Sequence, residues 1–208
     1  KLYVQAYNAS QVLGWGWILY VVLSLLAKGQ FAVFDSVKCA LYTFQILMLL
    51  DVVNPLLGLA HGSAAAALPQ TASRIWHACF IQVLVPQSVW ISGVLIPWSA
   101  TEVIRYSLYF LQGSDIKPPK LLVVLRYSLF IVIYPLGVAM EWLCVWDAWP
   151  IISECCPRVF SVAMPNEWNF AFDFKWFLQW LVLPGYIVVF PMLYSHMWRQ
   201  RQSKLKKD

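Results

Sequence analysis

The sequence predicts an all-α protein that crosses a membrane as a bundle of six transmembrane helices. Of its 208 residues, 61% are hydrophobic and only 12% are charged, whereas about a quarter of the residues of a soluble domain are charged. The apolar residues form runs separated by short polar segments, and no stretch is polar enough to make a soluble domain. We therefore expect residues 1–208 to form a single integral membrane domain.

Six apolar runs come close to the roughly 20 residues that a helix needs to cross a bilayer. In chain order they lie near 11–27, 38–60, 72–86, 88–112, 121–145 and 176–198. The stretch 72–112 is too long for one span and is interrupted at Pro86 and Pro97. A turn at Pro86 gives the fourth helix a full crossing length, so we expect Pro97 to kink that helix. The residues at the start of the sequence lack the basic region, the short apolar core and the cleavage site of a signal peptide. We therefore expect the first apolar run to remain as a span.

The distribution of charge predicts which side of the membrane holds the termini. Six spans place both termini on one side, and the net charge of +5 is concentrated in the tail RQRQSKLKKD. By the positive-inside rule that side is the cytosol. Of the 15 lysines and arginines, ten then lie on the cytosolic side, four on the opposite side and Arg105 within the membrane. A cationic tail beside the membrane is favoured over a nucleic-acid surface.

The five cysteines point to no particular chemistry. They form no CxxC pair and no Cys/His spacing of the kind that binds zinc. We therefore expect neither a metal site nor a disulfide framework.

Charged side chains inside predicted spans are costly and are therefore functional candidates. Glu102 and Arg105 are three residues apart, so they share a helix face and can pair, and a purely structural ion pair is the alternative. Asp51 and Asn54 have the same spacing and can hydrogen-bond between helices. Three further side chains lie near span ends and can extend to the interface, namely Arg74, Arg126 and Tyr127.

Glu141 differs because no basic residue lies within one helical turn of it in the sequence. Tyr134 precedes it by seven residues, so both face the same way about 10 Å apart along the helix axis. Gly137 lies between them without a side chain, and Pro135 frees a backbone carbonyl one turn earlier. The stretch predicts a proton donor and a proton acceptor beside a notch. The alternative is an ordinary membrane helix whose glutamate is hydrated.

Residues 126–142, RYSLFIVIYPLGVAMEW, resemble the motif RYxxFxxLYPxGxxxE of the very-long-chain (3R)-3-hydroxyacyl-CoA dehydratases, also called protein tyrosine phosphatase-like proteins. Four other segments resemble the family in the same order, namely LYVQAYNASQVLGWGW, LPQTASRIW, WSATEVIRYSLY and FPMLYSHMWRQR. The resemblance therefore covers nearly the whole chain.

The resemblance implies a six-helix enzyme of the endoplasmic reticulum membrane. It implies removal of water from a (3R)-3-hydroxyacyl-CoA to give the trans-2-enoyl-CoA, the third step of very-long-chain fatty acid elongation. The family's catalytic pair matches Tyr134 and Glu141, and supporting site residues match Glu102, Arg105, Tyr106, Arg126 and Tyr127. The implied partners are a long-chain 3-hydroxyacyl-CoA, membrane lipid and other elongation enzymes, with no nucleic acid.

The chain departs from the family pattern in its second helix. Asp51 and Asn54 stand where family members often have a glutamate and a histidine. A phosphatase loop is also absent from the sequence, because no cysteine is followed six positions later by arginine. Lys204 and Lys206 resemble a dilysine retrieval signal.

Dehydration removes a proton from C2 and protonates the hydroxyl that leaves C3, so one acid and one base suffice without a cofactor. Either Glu141 is the acid and Tyr134 the base, or the roles are reversed. We favour the first assignment because a carboxylic acid is the stronger donor. The CoA phosphates are expected near three cytosolic cations, Lys117, Lys120 and Arg126. The competing interpretations are a non-catalytic scaffold of the elongation complex and a proton-coupled transporter, although no internal repeat favours the transporter.

Overall fold

The structure is a computed structural model that describes residues 1–60 and 63–205. Among these residues the chain is helical throughout its regular segments, and the β pairing is confined to an isolated bridge between Val162 and Phe172. The prediction of an all-α protein is therefore confirmed. Two lysines of the predicted cationic tail, Lys206 and Lys207, lie outside the described residues.

Nine α-helices follow one another along the described chain, three of them continued by a π-helical turn. The first five are α1 Leu2–Ala27, α2 Phe34–Leu47, α3 Leu50–Leu56, α4 Ala64–Trp76 with the π turn His77–Gln82, and α5 Trp90–Gly113. The last four are α6 Lys120–Ser128, α7 Phe130–Pro150 with the π turn Ile151–Cys155, α8 Phe174–Phe177 with the π turn Leu178–Val182, and α9 Leu183–Leu205.

The helices extend beyond several of the predicted apolar runs. The first begins at Leu2 rather than near residue 11, because its polar first turns are held by packing. The run at 38–60 forms two helices, α2 and α3, interrupted at residues 48–49. The turn expected at Pro86 lies in the segment 83–89, and α5 continues through Pro97.

Four helical segments are long and apolar enough to cross a membrane, namely Leu2–Ala27, Phe34–Leu56, Phe130–Cys155 and Phe174–Lys204. Together they indicate a membrane protein. The predicted spans at 72–86 and 88–112 are not among these four. Both belong to helices that carry buried charges, Arg74 in α4 and Glu102 and Arg105 in α5, which make them less apolar.

The chain divides into two compact units, Lys1–Cys144 and Val145–Asp208. In the first unit α1 packs along α5 and α2, and α3 packs on α4. The buried face of α1 recurs every three or four residues, as helix geometry requires, and includes Tyr7, Gln11, Trp15, Ile18 and Val22. Gly14 on this face admits the ring of Phe44, since a Cβ there would lie 2.1 Å from Phe44 Cζ.

The second unit is organised around the start of α8. The Asp173 carboxylate caps this helix by accepting a hydrogen bond from the backbone N–H of Trp176 at 2.8 Å. Phe174 is buried and packs edge-on against Phe160, with ring centroids 5.4 Å apart. These contacts fix the long segment 156–173 to the first turn of α8.

Candidate functional site

Tyr134 and Glu141 both lie on α7, and Gly137 is buried between them. A Cβ built on Gly137 would lie 3.9 Å from the ring atoms of Pro97, an ordinary van der Waals distance. This part of α7 therefore faces α5 closely. Alanine fits at position 137, whereas a larger side chain must displace Pro97 or enter the space beside it.

Two aromatic residues from neighbouring helices hold Glu141. The Trp98 indole N–H donates to Glu141 Oε1 at 3.0 Å. His77 Nε2 lies 3.3 Å from the backbone carbonyl oxygen of Glu141. Since a carbonyl only accepts, Nε2 carries the proton, and His77 Nδ1 then accepts from Gln82 Nε2 at 3.2 Å. This arrangement fits a neutral histidine with one defined tautomer.

The Trp98 ring is itself enclosed by polar side chains. The centre of the Arg74 guanidinium lies 5.2 Å from the Trp98 ring centroid, a cation–π distance. The His77 ring meets Trp98 edge-on, with centroids 5.8 Å apart. Arg74 and His77 are three residues apart, so successive turns of one helix supply both contacts.

Arg74 continues into a buried ion network. Its Nη1 donates to Glu102 Oε1, and its Nη2 lies 3.4 Å from Thr101 Oγ1. On the other side Arg105 Nη2 pairs with Glu102 Oε2 at 2.6 Å. The predicted pairing of Glu102 with Arg105 is confirmed. The expectation that Arg74 extends to the interface is wrong, because a fully buried glutamate requires compensating positive charge.

Asp51 joins this network from α3. Its Oδ2 lies 2.6 Å from Arg105 Nη2 and accepts from the Tyr106 hydroxyl at 2.7 Å. Its Oδ1 accepts from the Tyr7 hydroxyl at 2.8 Å. Asn54 also accepts from a tyrosine hydroxyl of α1, at 3.2 Å. The prediction that Asp51 and Asn54 hydrogen-bond between helices is confirmed.

The other predicted site residues lie around this centre. Tyr134 is within electrostatic range of both Glu141 and Arg74. Arg126 is likewise within electrostatic range of Glu102. The Arg126 guanidinium also lies 6.0 Å from the Tyr127 ring centroid. Arg74 and its contact with Trp98 therefore link the α7 pair to the ion network.

Three side chains of this centre were not among the candidates that the sequence suggested, namely Trp98, His77 and Tyr7. Those candidates were charged side chains in the apolar runs, polar residues at helical spacing from them, and residues of the family motifs. His77 stands three residues after Arg74 in such a run, the same spacing that singled out Glu102 and Arg105. Trp98 carried no comparable signal, because tryptophan is common throughout this chain.

The arrangement is suited to proton transfer inside a helix bundle. A phenol and a carboxyl group lie on one helix face, the Trp98 indole N–H holds the carboxyl group, and His77 holds the backbone of the same residue. Across residues 1–60 and 63–205, no group of three His, Cys, Asp or Glu side chains is arranged to bind a metal ion.

Comparison with known proteins identifies the family. The model of the protein tyrosine phosphatase-like family, PTPLA, matches residues 45–207. The chain belongs to this family. Very-long-chain (3R)-3-hydroxyacyl-CoA dehydratase PASTICCINO 2B of Oryza sativa subsp. japonica is 33% identical over 100% of this chain and 94% of its own length.

Other relatives of this PTPLA-family chain carry the same dehydratase name. Very-long-chain (3R)-3-hydroxyacyl-CoA dehydratase hpo-8 of Caenorhabditis elegans is 35% identical over 99% of this chain and 95% of its own length. Very-long-chain (3R)-3-hydroxyacyl-CoA dehydratase 2 of Homo sapiens is 34% identical over 98% and 80%. No solved structure matches the chain. The resemblance inferred from the sequence motifs is confirmed.

Proposed function

We propose that this PTPLA-family protein is a hydro-lyase that converts a long-chain (3R)-3-hydroxyacyl-CoA to the trans-2-enoyl-CoA and water, the third step of very-long-chain fatty acid elongation. The observation that carries the proposal is the 33% to 35% identity, over nearly the whole chain, to relatives named for this dehydratase activity. Tyr134 and Glu141, on one face of α7, supply the two groups that the reaction requires.

The chemistry needs two proton transfers. Tyr134 takes the proton from C2, whose acidity the neighbouring thioester increases, and the electron pair forms the C2–C3 double bond. Glu141 gives its proton to the C3 hydroxyl, which leaves as water. Proton exchange with solvent then removes the proton from Tyr134 and supplies one to Glu141, so that both groups regain the states in which the cycle began. No oxidation or reduction occurs, and the step requires only an acid and a base.

The spacing on α7 suits a substrate between the two groups. Seven residues at 1.5 Å rise separate the two Cα atoms by about 10 Å along the axis. A substrate lying beside Gly137 presents C2 toward one group and the C3 hydroxyl toward the other. The apolar helix faces accommodate the acyl chain. Three cations are available to the CoA phosphates, namely Lys117 before α6, Lys120 at its start and Arg126 in its last turn.

We propose that all six predicted spans cross the membrane as parts of one integral domain. The segments 72–86 and 88–112 carry charges, but the two arginines, Arg74 and Arg105, are balanced in the core by the carboxylates of Glu102 and Asp51. Paired charges that face a bundle interior are the form in which membrane helices tolerate them. The distribution of basic residues then places both termini in the cytosol.

The proposed cellular setting follows from the proposed reaction. Other elongation enzymes produce the substrate of such a dehydratase and consume its product. We therefore propose that these enzymes are its partners. The proposed location is the endoplasmic reticulum membrane, where membrane lipid surrounds the helices.

The test is direct. The full chain, purified in detergent, is incubated with a long-chain (3R)-3-hydroxyacyl-CoA, and enoyl-CoA formation is followed by mass spectrometry. We expect enoyl-CoA from the (3R) substrate and none from the (3S) isomer, which serves as the stereochemical control. Folded protein that forms no enoyl-CoA at any acyl-chain length would overturn the proposal and favour a scaffold role.

A further inference from the structure

We infer that Trp98 is a positioning residue that holds the Glu141 carboxyl group in its reactive orientation through a hydrogen bond to Oε1. The inference rests on the proposed dehydratase function. It goes beyond that function because it assigns a role to a side chain on α5.

The contact between the two residues is specific. The Trp98 indole N–H lies 3.0 Å from Glu141 Oε1, and Trp98 is only 4% exposed. An indole N–H donates and never accepts, so Oε1 serves as its acceptor whether the carboxyl group is ionised or protonated. The hydrogen bond from Trp98 can therefore persist through the proton transfer and hold the carboxyl group throughout.

Trp98 can act in this way because its ring cannot rotate freely. The Arg74 guanidinium covers the ring at 5.2 Å, and His77 meets it edge-on at 5.8 Å. Arg74 is in turn held by Glu102 and by the Thr101 hydroxyl. The buried ion network thus acts on Glu141 through the orientation of one indole ring.

The backbone of Glu141 is held independently of its side chain. His77 Nε2 lies 3.3 Å from the Glu141 carbonyl oxygen, so α4 and α5 together fix both ends of the residue. Such double support is what a proton donor requires, because small displacements of a catalytic group are costly. A misplacement of about 1 Å lowers rates by roughly 10²-fold.

The expected consequence of losing the indole N–H is a defect in turnover. In Trp98→Phe, kcat falls by about 10²-fold, while KM changes little because the acyl-CoA contacts remain. A second variant, with benzothienylalanine at position 98, replaces the N–H by sulfur and preserves the ring shape. It should show the same loss of kcat even where Trp98→Phe folds poorly.

The chain provides a matched control on α1. Trp15 is fully buried, and its indole N–H donates to Gln11 Oε1 at the same distance of 3.0 Å. Trp15→Phe therefore removes an equivalent buried hydrogen bond away from Glu141. We expect it to destabilise the protein to a similar degree and to leave kcat per folded molecule unchanged.

A spectroscopic readout separates positioning from general stability. The infrared carboxyl band that disappears in Glu141→Gln is assigned to Glu141. Loss of a donor to the carbonyl oxygen moves this band to higher frequency, so it should shift in both Trp98 variants and stay in place in Trp15→Phe. Because this measurement requires no substrate, it tests the contact even if the proposed reaction fails.

The outcomes are distinct. A shifted band with a fall in kcat supports the inference. An unshifted band in both Trp98 variants overturns it, as does an equal fall in kcat in Trp15→Phe. A wild-type protein that forms no enoyl-CoA, with the band still shifted by the Trp98 variants, refutes the proposed function and with it the catalytic meaning of the contact.

Discussion

Removing one proton-transfer group at a time tests the catalytic pair most directly. Tyr134→Phe removes only a hydroxyl, and Glu141→Gln replaces one carboxyl oxygen by an amide nitrogen. The glutamine side chain keeps an oxygen that accepts from Trp98, and the contact with His77 involves the backbone carbonyl. Each variant is therefore expected to fold, with a stability loss of at most about 1 kcal/mol, the net worth of a typical hydrogen bond.

The expected effect on rate is far larger than the effect on stability. A positioned general acid or base contributes about 10²–10⁴-fold, which corresponds to about 2.7–5.4 kcal/mol in the activation free energy at 1.36 kcal/mol for each tenfold. Because both groups serve one transition state, Tyr134→Phe combined with Glu141→Gln should be scarcely slower than either single variant. Independent groups would instead multiply their effects.

The assay measures kcat and kcat/KM for enoyl-CoA formation by purified protein in detergent. Circular dichroism and thermal unfolding report the folded fraction of each variant. Two conservative controls lie outside the pair, Tyr20→Phe on the exposed side of α1 and Glu154→Gln after the end of α7. Both should retain wild-type turnover.

Two results would refute this reasoning. Near wild-type turnover in both single variants would mean that Tyr134 and Glu141 are not the catalytic pair. A double variant whose loss equals the product of the single losses would show that the two groups act in separate steps.

Three further predictions concern the space, the ion network and the topology. Gly137→Ala should retain activity, because its Cβ fits 3.9 Å from Pro97. Gly137→Leu should accumulate normally but lose turnover, because the larger side chain fills the substrate's space. Normal turnover in Gly137→Leu would exclude a substrate in that space. Glu102→Gln leaves the buried Arg74 and Arg105 without their shared anion and should lower the free energy of unfolding by about 3–5 kcal/mol. Thermal unfolding in detergent should therefore occur at a lower temperature. An unchanged unfolding temperature would contradict the proposed charge compensation by Glu102. In sealed microsomes a C-terminal tag should be cleaved by added protease, whereas a tag inserted at 150–170 should be protected. The reverse pattern would show that the proposed topology is inverted.

Local periodicity explains the parts of the fold and site that were predictable. A composition with few charges and long apolar runs indicated a helical membrane protein before any contact was known. The spacing of three residues between Glu102 and Arg105 predicted their pairing, and the spacing of seven placed Tyr134 and Glu141 on one face of α7. These inferences depend only on the pitch of a helix, which backbone hydrogen bonds fix regardless of the surrounding protein.

Helix limits were less predictable for a physical reason. The hydropathy of the first residues is too low to mark a span, yet α1 begins at Leu2 because the Tyr7 hydroxyl bonds to Asp51 on another helix. Tertiary packing commonly overrides local propensity in this way. Similarly, its position near the end of a predicted span suggested that Arg74 extends to the membrane interface, whereas the need to neutralise buried Glu102 draws it inward.

The sequence by itself determined the family, the helical membrane character and which side chains share a helix face. Only the tertiary structure decided which faces meet. Arg74 reaches Glu102 across 28 residues of chain, Trp98 reaches Glu141 across 43 and Arg105 reaches Asp51 across 54. The period of a helix does not encode such long separations along the chain. They arise because buried charges and hydrogen-bonding groups must find partners once the helices pack, and that requirement is met by the whole set of side chains together.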